Sequence, residues 1–142
     1  MTGTGRGASV TNGGASVFPA LLHRDARAVI RQLTEAFGFT PVAVHEDDDG
    51  VVLHAELSYG NGAVMPGSKG RGGAFDRAME GAGPTGVHVV VGAVDAHHRR
   101  RAVEHGVEIL VAPADQEYGS RDCTARDAEG NVWSFGTYAP RL

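Results

Sequence analysis

GVHVVVGAVDAHHRRRAVEHGVEILVAPADQEYGSRDCTARDAEGNVWSFGTY, residues 86–138, is the stretch whose reading decides the fold. GVHVVVGAV is a short apolar run of strand type. DAHHRRRAVEHG follows, bracketed by Asp95 as helix N-cap and Gly106 as C-terminal stop. VEILVA then returns to strand chemistry, and SRDCTARD and VWSFGTY, joined by the turn AEGN, form a closing hairpin. The order is β-α-β-β-β. Successive strand residues face opposite ways, so Ser134 shares a side with Val132, Gly136 and Tyr138, while Trp133 and Phe135 take the other. Trp133 is therefore expected in the core beneath the helix.

Working outward, the first half repeats this plan. SVFPALLH (Ser16–His23) is an apolar run, and DARAVIRQLTEAFG carries Ala26, Val29, Ile30, Leu33 and Phe37 at helical spacing between Asp25 and Gly38. FTPVAVHE, the turn DDDG, VVLHAELSY, the turn GNG and the short strand AVM complete it. The N-cap aspartates Asp25 and Asp95 are 70 positions apart, as are Phe18 and His88, whereas Met65 and Ser134 are 69 apart. A unit this small cannot bury its apolar face alone, so two copies pack together. The expected organisation is one α+β domain. Residues 1–15 form a flexible tail, 16–66 a first βαβββ module, 67–85 a linker and 86–142 a second module. Together the modules make a cupped, barrel-like mixed sheet with helices outside. The tail is too poor in apolar side chains to offset its ordering entropy. AFDRAME in the glycine-rich linker is a candidate helical turn.

Composition excludes several classes of function. At 142 residues, 42% hydrophobic and 21% charged, the chain suits one globular domain with a core of ordinary size. A net charge of −4 leaves no basic footprint for nucleic acid or an anionic membrane. No apolar run approaches the ~20 residues of a membrane span, and no signal-peptide core follows Met1, so a cytoplasmic protein is expected. The single cysteine, Cys123, makes no internal disulfide, and it is expected as a buried strand residue.

The tandem modules, and above all VDAHHRRRAVEHGVEILVAPADQEYGSRDCTARDAEGNVWSFGTY and HAELSYGNGAVM, resemble the vicinal oxygen chelate superfamily. That superfamily includes glyoxalase I, extradiol dioxygenases and the bleomycin- and fosfomycin-resistance proteins. The resemblance runs from about Val17 to Tyr138 and is strongest to the glyoxalase/bleomycin-resistance-like group. It implies four strand positions pointing into a cup, which in metal-dependent members carry His, Glu or Gln around a divalent ion. Here they are Phe18, Met65, His88 and Ser134. Only His88 is a good ligand: phenylalanine cannot coordinate, a thioether suits copper(I), and a serine hydroxyl is a poor neutral donor.

Two readings follow. The leading one is a metal-independent protein of the bleomycin-resistance type, which as a homodimer sequesters a flat or elongated small molecule in clefts. Its expected contacts are Phe18, His54, Glu56, Met65, His88, Tyr118, Arg121, Ser134 and Tyr138, with Phe18 and Tyr138 stacking and His88, Glu56 and Arg121 orienting polar groups. Arg121 offers a forked cation, although a plain surface pairing with Asp122 or Glu117 is the competing expectation. Ala20, Leu22 and Val90 are expected to fill the cup. The alternative is an enzyme of the same fold, with no cofactor or with an improvised divalent metal. His54 and Glu56, two apart on one strand, would join His88 as ligands. Without a metal, His88 would serve as base with Glu56 as partner. His97 and His98 are expected on a solvated helix face, and His23, His45 and His105 carry no assigned role. Whether the modules of one chain pair with each other or with those of a partner stays open at this level.

Overall fold

The structure, a computed structural model, describes residues 14–142. The glycine-rich opening segment therefore lies outside the described residues except for Gly14 and Ala15. The first half contains β1 (Ala20–His23), α1 (Ala26–Glu35), β2 (Thr40–Glu46), β3 (Val52–Tyr59) and β4 (Gly62–Ser68). A short α2 (Ala74–Ala78) interrupts the connection, where AFDRAME predicts a helical turn. The second half contains β5 (Gly86–Val90), α3 (Val94–Arg99), β6 (Glu108–Asp115), β7 (Arg121–Arg126) and β8 (Val132–Gly136). The sheet orders are β1-β4-β3-β2 and β5-β8-β7-β6. In each, the first strand runs parallel to the last and the remaining pairs are antiparallel. These are the two βαβββ modules, built as cupped mixed sheets that do not close into a barrel.

Local chemistry accounts for most of the boundaries. The Asp25 carboxylate accepts from Ala28 N at 3.1 Å and caps α1, whose buried stripe is Ala26, Val29 and Leu33. The acidic turn closes on itself, with Asp47 Oδ1 accepting from the backbone of Asp49 and Val51 at 2.9 Å each. In the last hairpin, Asp127 Oδ1 accepts from Glu129 N and Asn131 N, and Gly130 takes the left-handed φ of 92° that the turn requires.

The second helix corrects the repeat. Its N-cap is Ala93, without a side-chain bond, and Asp95 lies inside the first turn with its carboxylate on Arg121. Ala93 follows Asp25 by 68 positions. Register agrees: Ala20 lies opposite Met65 and His88 opposite Ser134, and Ala20 and His88 are also 68 apart. Ala20, not Phe18, is thus the counterpart of His88, and Phe18 precedes β1 on the same side.

Both modules share one core. Leu21, Val29, Leu33, Phe37, Phe39, Leu57 and Val64 of the first pack with Val89, Val94, Cys123, Ala125, Trp133 and Phe135 of the second. Phe37 meets Trp133 and Phe135 edge-on, with centroids 5.5 and 5.4 Å away. Polar pins cross the same junction. Glu129 accepts from Arg24 N and Asp25 N at 2.9 and 3.0 Å, Ala128 N donates to Gln32 Oε1, and Arg100 donates twice to the Glu35 carbonyl. His97 is one of these pins rather than part of a solvated face. Its Nε2 donates to the Phe37 carbonyl at 3.1 Å and its ring packs on Phe135. His98 is likewise half-buried rather than exposed.

Two buried polar side chains stand out. Arg101 lies in a π-helical turn after α3 (Arg100–Glu104), fully buried, with its guanidinium 3.8 Å from the Phe135 centroid and one N–H on Cys123 Sγ at 2.7 Å. Cys123 is buried as expected, and burial pushes its thiol pKa up despite the cation beside it. His23 is fully buried, and among the described residues neither ring nitrogen has a hydrogen-bond partner. Among the described residues, no helix is long and apolar enough to cross a membrane.

Candidate functional site

Because the helix-bearing faces of both sheets meet in the shared core, their other faces look away from each other. On β3, Ala55 and Leu57 are buried toward α1, so alternation turns His54, Glu56 and Ser58 to the open side. There His54 Nε2 donates to Glu56 Oε2 at 2.9 Å, and His45 stacks beside His54 with centroids 6.1 Å apart. A cleft of ≈ 490 Å³ opens over this face, lined by Phe18, Val42, Glu56, Ser58 and Met65 among others. A smaller one of ≈ 300 Å³ lies on the far side of Met65, between Leu22, His54, Arg71 and Phe75.

On the second sheet, His88, Ser134, Thr124 and Val111 form a cross-strand row on the open face. His88 Nδ1 lies 3.0 Å from Ser134 Oγ, and its Nε2 lies 2.9 Å from the Tyr138 carbonyl oxygen. Beside them, Asp122 accepts from the hydroxyls of Tyr118, at 2.5 Å, and Ser120. Tyr118 and Tyr138 meet edge-on, with centroids 5.9 Å apart. Partial desolvation pushes the Asp122 carboxyl up. The Ser120 and Tyr118 hydroxyls and the nearby His88 outweigh it and hold its pKa below the ordinary carboxylate value. The hydroxyl bond to Asp122 raises the Tyr118 pKa, helped by desolvation.

The residues expected around one cup therefore separate into two groups. Phe18, His54, Glu56 and Met65 belong to the first open face, and His88, Tyr118, Ser134 and Tyr138 to the second. The expected base partner of His88, Glu56, is engaged by His54, and Ser134 stands at His88 instead. Val90, expected to fill the cup, is 45% exposed on the second open face. Arg121 joins neither group. It points to the helix side, where Asp95 and Asp115 hold it at 3.0 and 3.1 Å, in place of the expected Asp122 or Glu117. Those two carboxylates, Asp95 foremost, raise its pKa. Cys123 carried the signal for this: a buried residue two positions on means Arg121 shares its side, and Asp122 takes the open one. Asp122 is the site residue that the sequence reading missed.

A divalent ion of the kind the fold implies does not fit this donor set. Replacing Phe18 by Ala20 as the fourth position changes nothing, since alanine has no donor, and His88 remains the one good ligand beside Met65 and Ser134. Within one chain the improvised trio of His54, Glu56 and His88 is split between the two open faces, and His54 already engages Glu56. Among the described residues, no three His, Cys, Asp or Glu side chains gather closely enough to hold a metal ion.

Two tandem βαβββ sheets packed back to back on one shared core, with open outer faces, define a protein of the vicinal oxygen chelate class. The profile of the Glyoxalase/Bleomycin resistance protein/Dioxygenase superfamily matches residues 17–135, and the chain belongs to this superfamily. Rv0887c of Mycobacterium tuberculosis (strain H37Rv) is 30% identical over 123 residues, 83% of this chain and 71% of that protein. Among solved structures, TioX from Micromonospora sp. ML1 superposes with a TM-score of 0.76 at 28% identity, over 89% of this chain and all of TioX. The lactoylglutathione lyase of Agrobacterium tumefaciens has a TM-score of 0.65 at 20% identity, over 87% of this chain and 92% of its own, a likeness of fold.

Proposed function

We propose that this protein binds and sequesters a small organic molecule without a metal, in clefts formed between two copies of the chain. In this reading the first open face of one chain lies beside the second open face of the other. Each cup then combines Phe18, Val42, Glu56 and Met65 with His88, Asp122, Ser134 and Tyr138. The observation that carries it is apolar surface left uncovered on both outer faces: Val42 is 63% exposed, Val111 49% and Tyr138 50%. Such surface, rimmed by polar groups, marks an interaction site. The ≈ 490 Å³ cleft has the volume and mixed lining of a ligand pocket. The bleomycin-resistance proteins that give the superfamily part of its name support sequestration, and with it a role in antibiotic resistance. A cytoplasmic setting belongs to the same reading.

Sedimentation and native mass spectrometry of protein purified without added metal test this reading. The expected species is a dimer that carries an organic molecule and no stoichiometric divalent ion. A monomer without ligand, or a dimer holding one divalent ion per site, overturns it.

A further inference from the structure

The contacts of His88 fix more than its position. A backbone carbonyl only accepts, so the nitrogen 2.9 Å from Tyr138 O, Nε2, carries the ring proton. In the neutral imidazole Nδ1 is then an acceptor, and the Ser134 hydroxyl 3.0 Å away donates to it. Nucleophile, base and orienting acceptor stand in sequence, the arrangement that activates a serine. His88 is exposed, and Gly86, one pair along on the same face, has none of the described residues within 4 Å of where a side chain would begin. An incoming group meets open space on that side.

We propose that Ser134 is an activated nucleophile, acylated by thioesters and aryl esters with His88 as general base. As Ser134 Oγ attacks the acyl carbon, its proton passes to His88 Nδ1 and the carbonyl π pair moves onto oxygen. That pair returns as the C–S or C–O(aryl) bond breaks, and the leaving thiolate or phenolate takes the proton from Nδ1. Water, giving a proton to the same nitrogen, then attacks the acyl-serine. The tetrahedral adduct releases the carboxylic acid, and Ser134 Oγ recovers its proton from Nδ1.

The surroundings set the substrate class. β8 lies between β5 and β7, so its backbone N–H groups are committed to the sheet and do not form an oxyanion pocket beside Ser134. Acyl groups on good leaving groups need that help least, which excludes ordinary amides. The Tyr118–Tyr138 pair offers an aromatic surface to an aryl leaving group, and Asp122 beside it disfavours an anionic one. This chemistry lies within one chain and depends neither on the dimer nor on the ligand proposed above.

Exposure to p-nitrophenyl acetate, followed by intact-mass measurement and peptide mapping, tests the inference. In samples acid-quenched during the first turnover, before water releases the acyl group, one acetyl group is expected on Ser134, absent in Ser134→Ala and retained at that position in Ser134→Cys. Replacing the base in His88→Gln is expected to slow acetylation by about 10²-fold or more. Circular dichroism establishes that each variant is folded. Acetyl groups found only at other side chains, equal labelling in Ser134→Ala, or a rate unmoved by His88→Gln in a folded variant each overturn it.

Discussion

Asp127 offers the sharpest test of how the last hairpin is held against the core. Its carboxylate accepts three hydrogen bonds: Glu129 N at 2.9 Å and Asn131 N at 3.0 Å on Oδ1, and Trp133 Nε1 at 2.9 Å on Oδ2. Asp127 is 5% exposed and Trp133 fully buried. In Asp127→Ala, water can reach the Glu129 donor at the turn, but the indole N–H is left dry. A buried donor without a partner costs about 1–3 kcal/mol, and each lost bond to a charged acceptor about 1.5–3 kcal/mol. Allowing for solvent replacement at the turn, the expected loss is about 3–5 kcal/mol, or roughly 10–17 °C in a domain of this size. Urea denaturation at fixed protein concentration, followed by the fluorescence of Trp133, measures it; the same residue then reports its own altered surroundings. Asp127→Asn, which keeps one carbonyl acceptor, is expected to lose about half as much. A loss below about 1 kcal/mol in Asp127→Ala refutes the reasoning, because the indole donor would then have another partner.

Other outcomes follow from separate features. Burial foremost, against the pull of Asp127 and Glu129, holds the His23 pKa below its ordinary value of 6.5. The unfolded chain therefore binds this proton first, and the contribution of neutral His23, complete above pH 6.5, is lost as pH falls from there through the folded pKa. His23→Leu is expected to flatten that part of the stability–pH curve, and an unchanged curve by urea denaturation contradicts the assignment. Arg101 has Nε and Nη1 buried and unpaired among the described residues, so Arg101→Met is expected to be neutral or stabilising by about 1–3 kcal/mol despite losing the contact with Phe135; clear destabilisation in the same assay contradicts this. Val111→Glu, on the second open face, is expected to leave the fold intact and yield monomer on sedimentation, whereas an unperturbed dimer places the interface elsewhere. Melting of metal-stripped protein with Mn²⁺, Ni²⁺, Zn²⁺ and Fe²⁺ is expected to show no shift. A specific ion at 100 times its dissociation constant would add ~2.7 kcal/mol, and losing that gain in His88→Ala would restore the metal site.

By itself the sequence determined the elements, their order and the facing of the strands, because the signals for these act over a few residues. Asp25 caps the helix it precedes, the DDDG and AEGN turns are closed by the Asp47 and Asp127 side chains, and alternation sets Trp133 in the core and Ser134 on the opposite side of its strand. The side-chain chemistry of Met65, His88 and Ser134 was legible for the same reason, whereas the fourth position, expected at Phe18, falls at Ala20 by register. Tertiary structure decided what those signals cannot reach. Asp95 looks like Asp25 in sequence, yet Arg121 from another strand draws its carboxylate and the helix begins two residues earlier. His23, His97 and Arg101 are polar by type, yet the meeting of the two modules buries His23 and Arg101 completely and His97 in part, a consequence of contacts as far as 60 residues along the chain. The separation of the site into two outward faces has the same origin: local rules say which side of a strand is apolar, but only the packing of Phe37 against Trp133 and Phe135 says which sides meet.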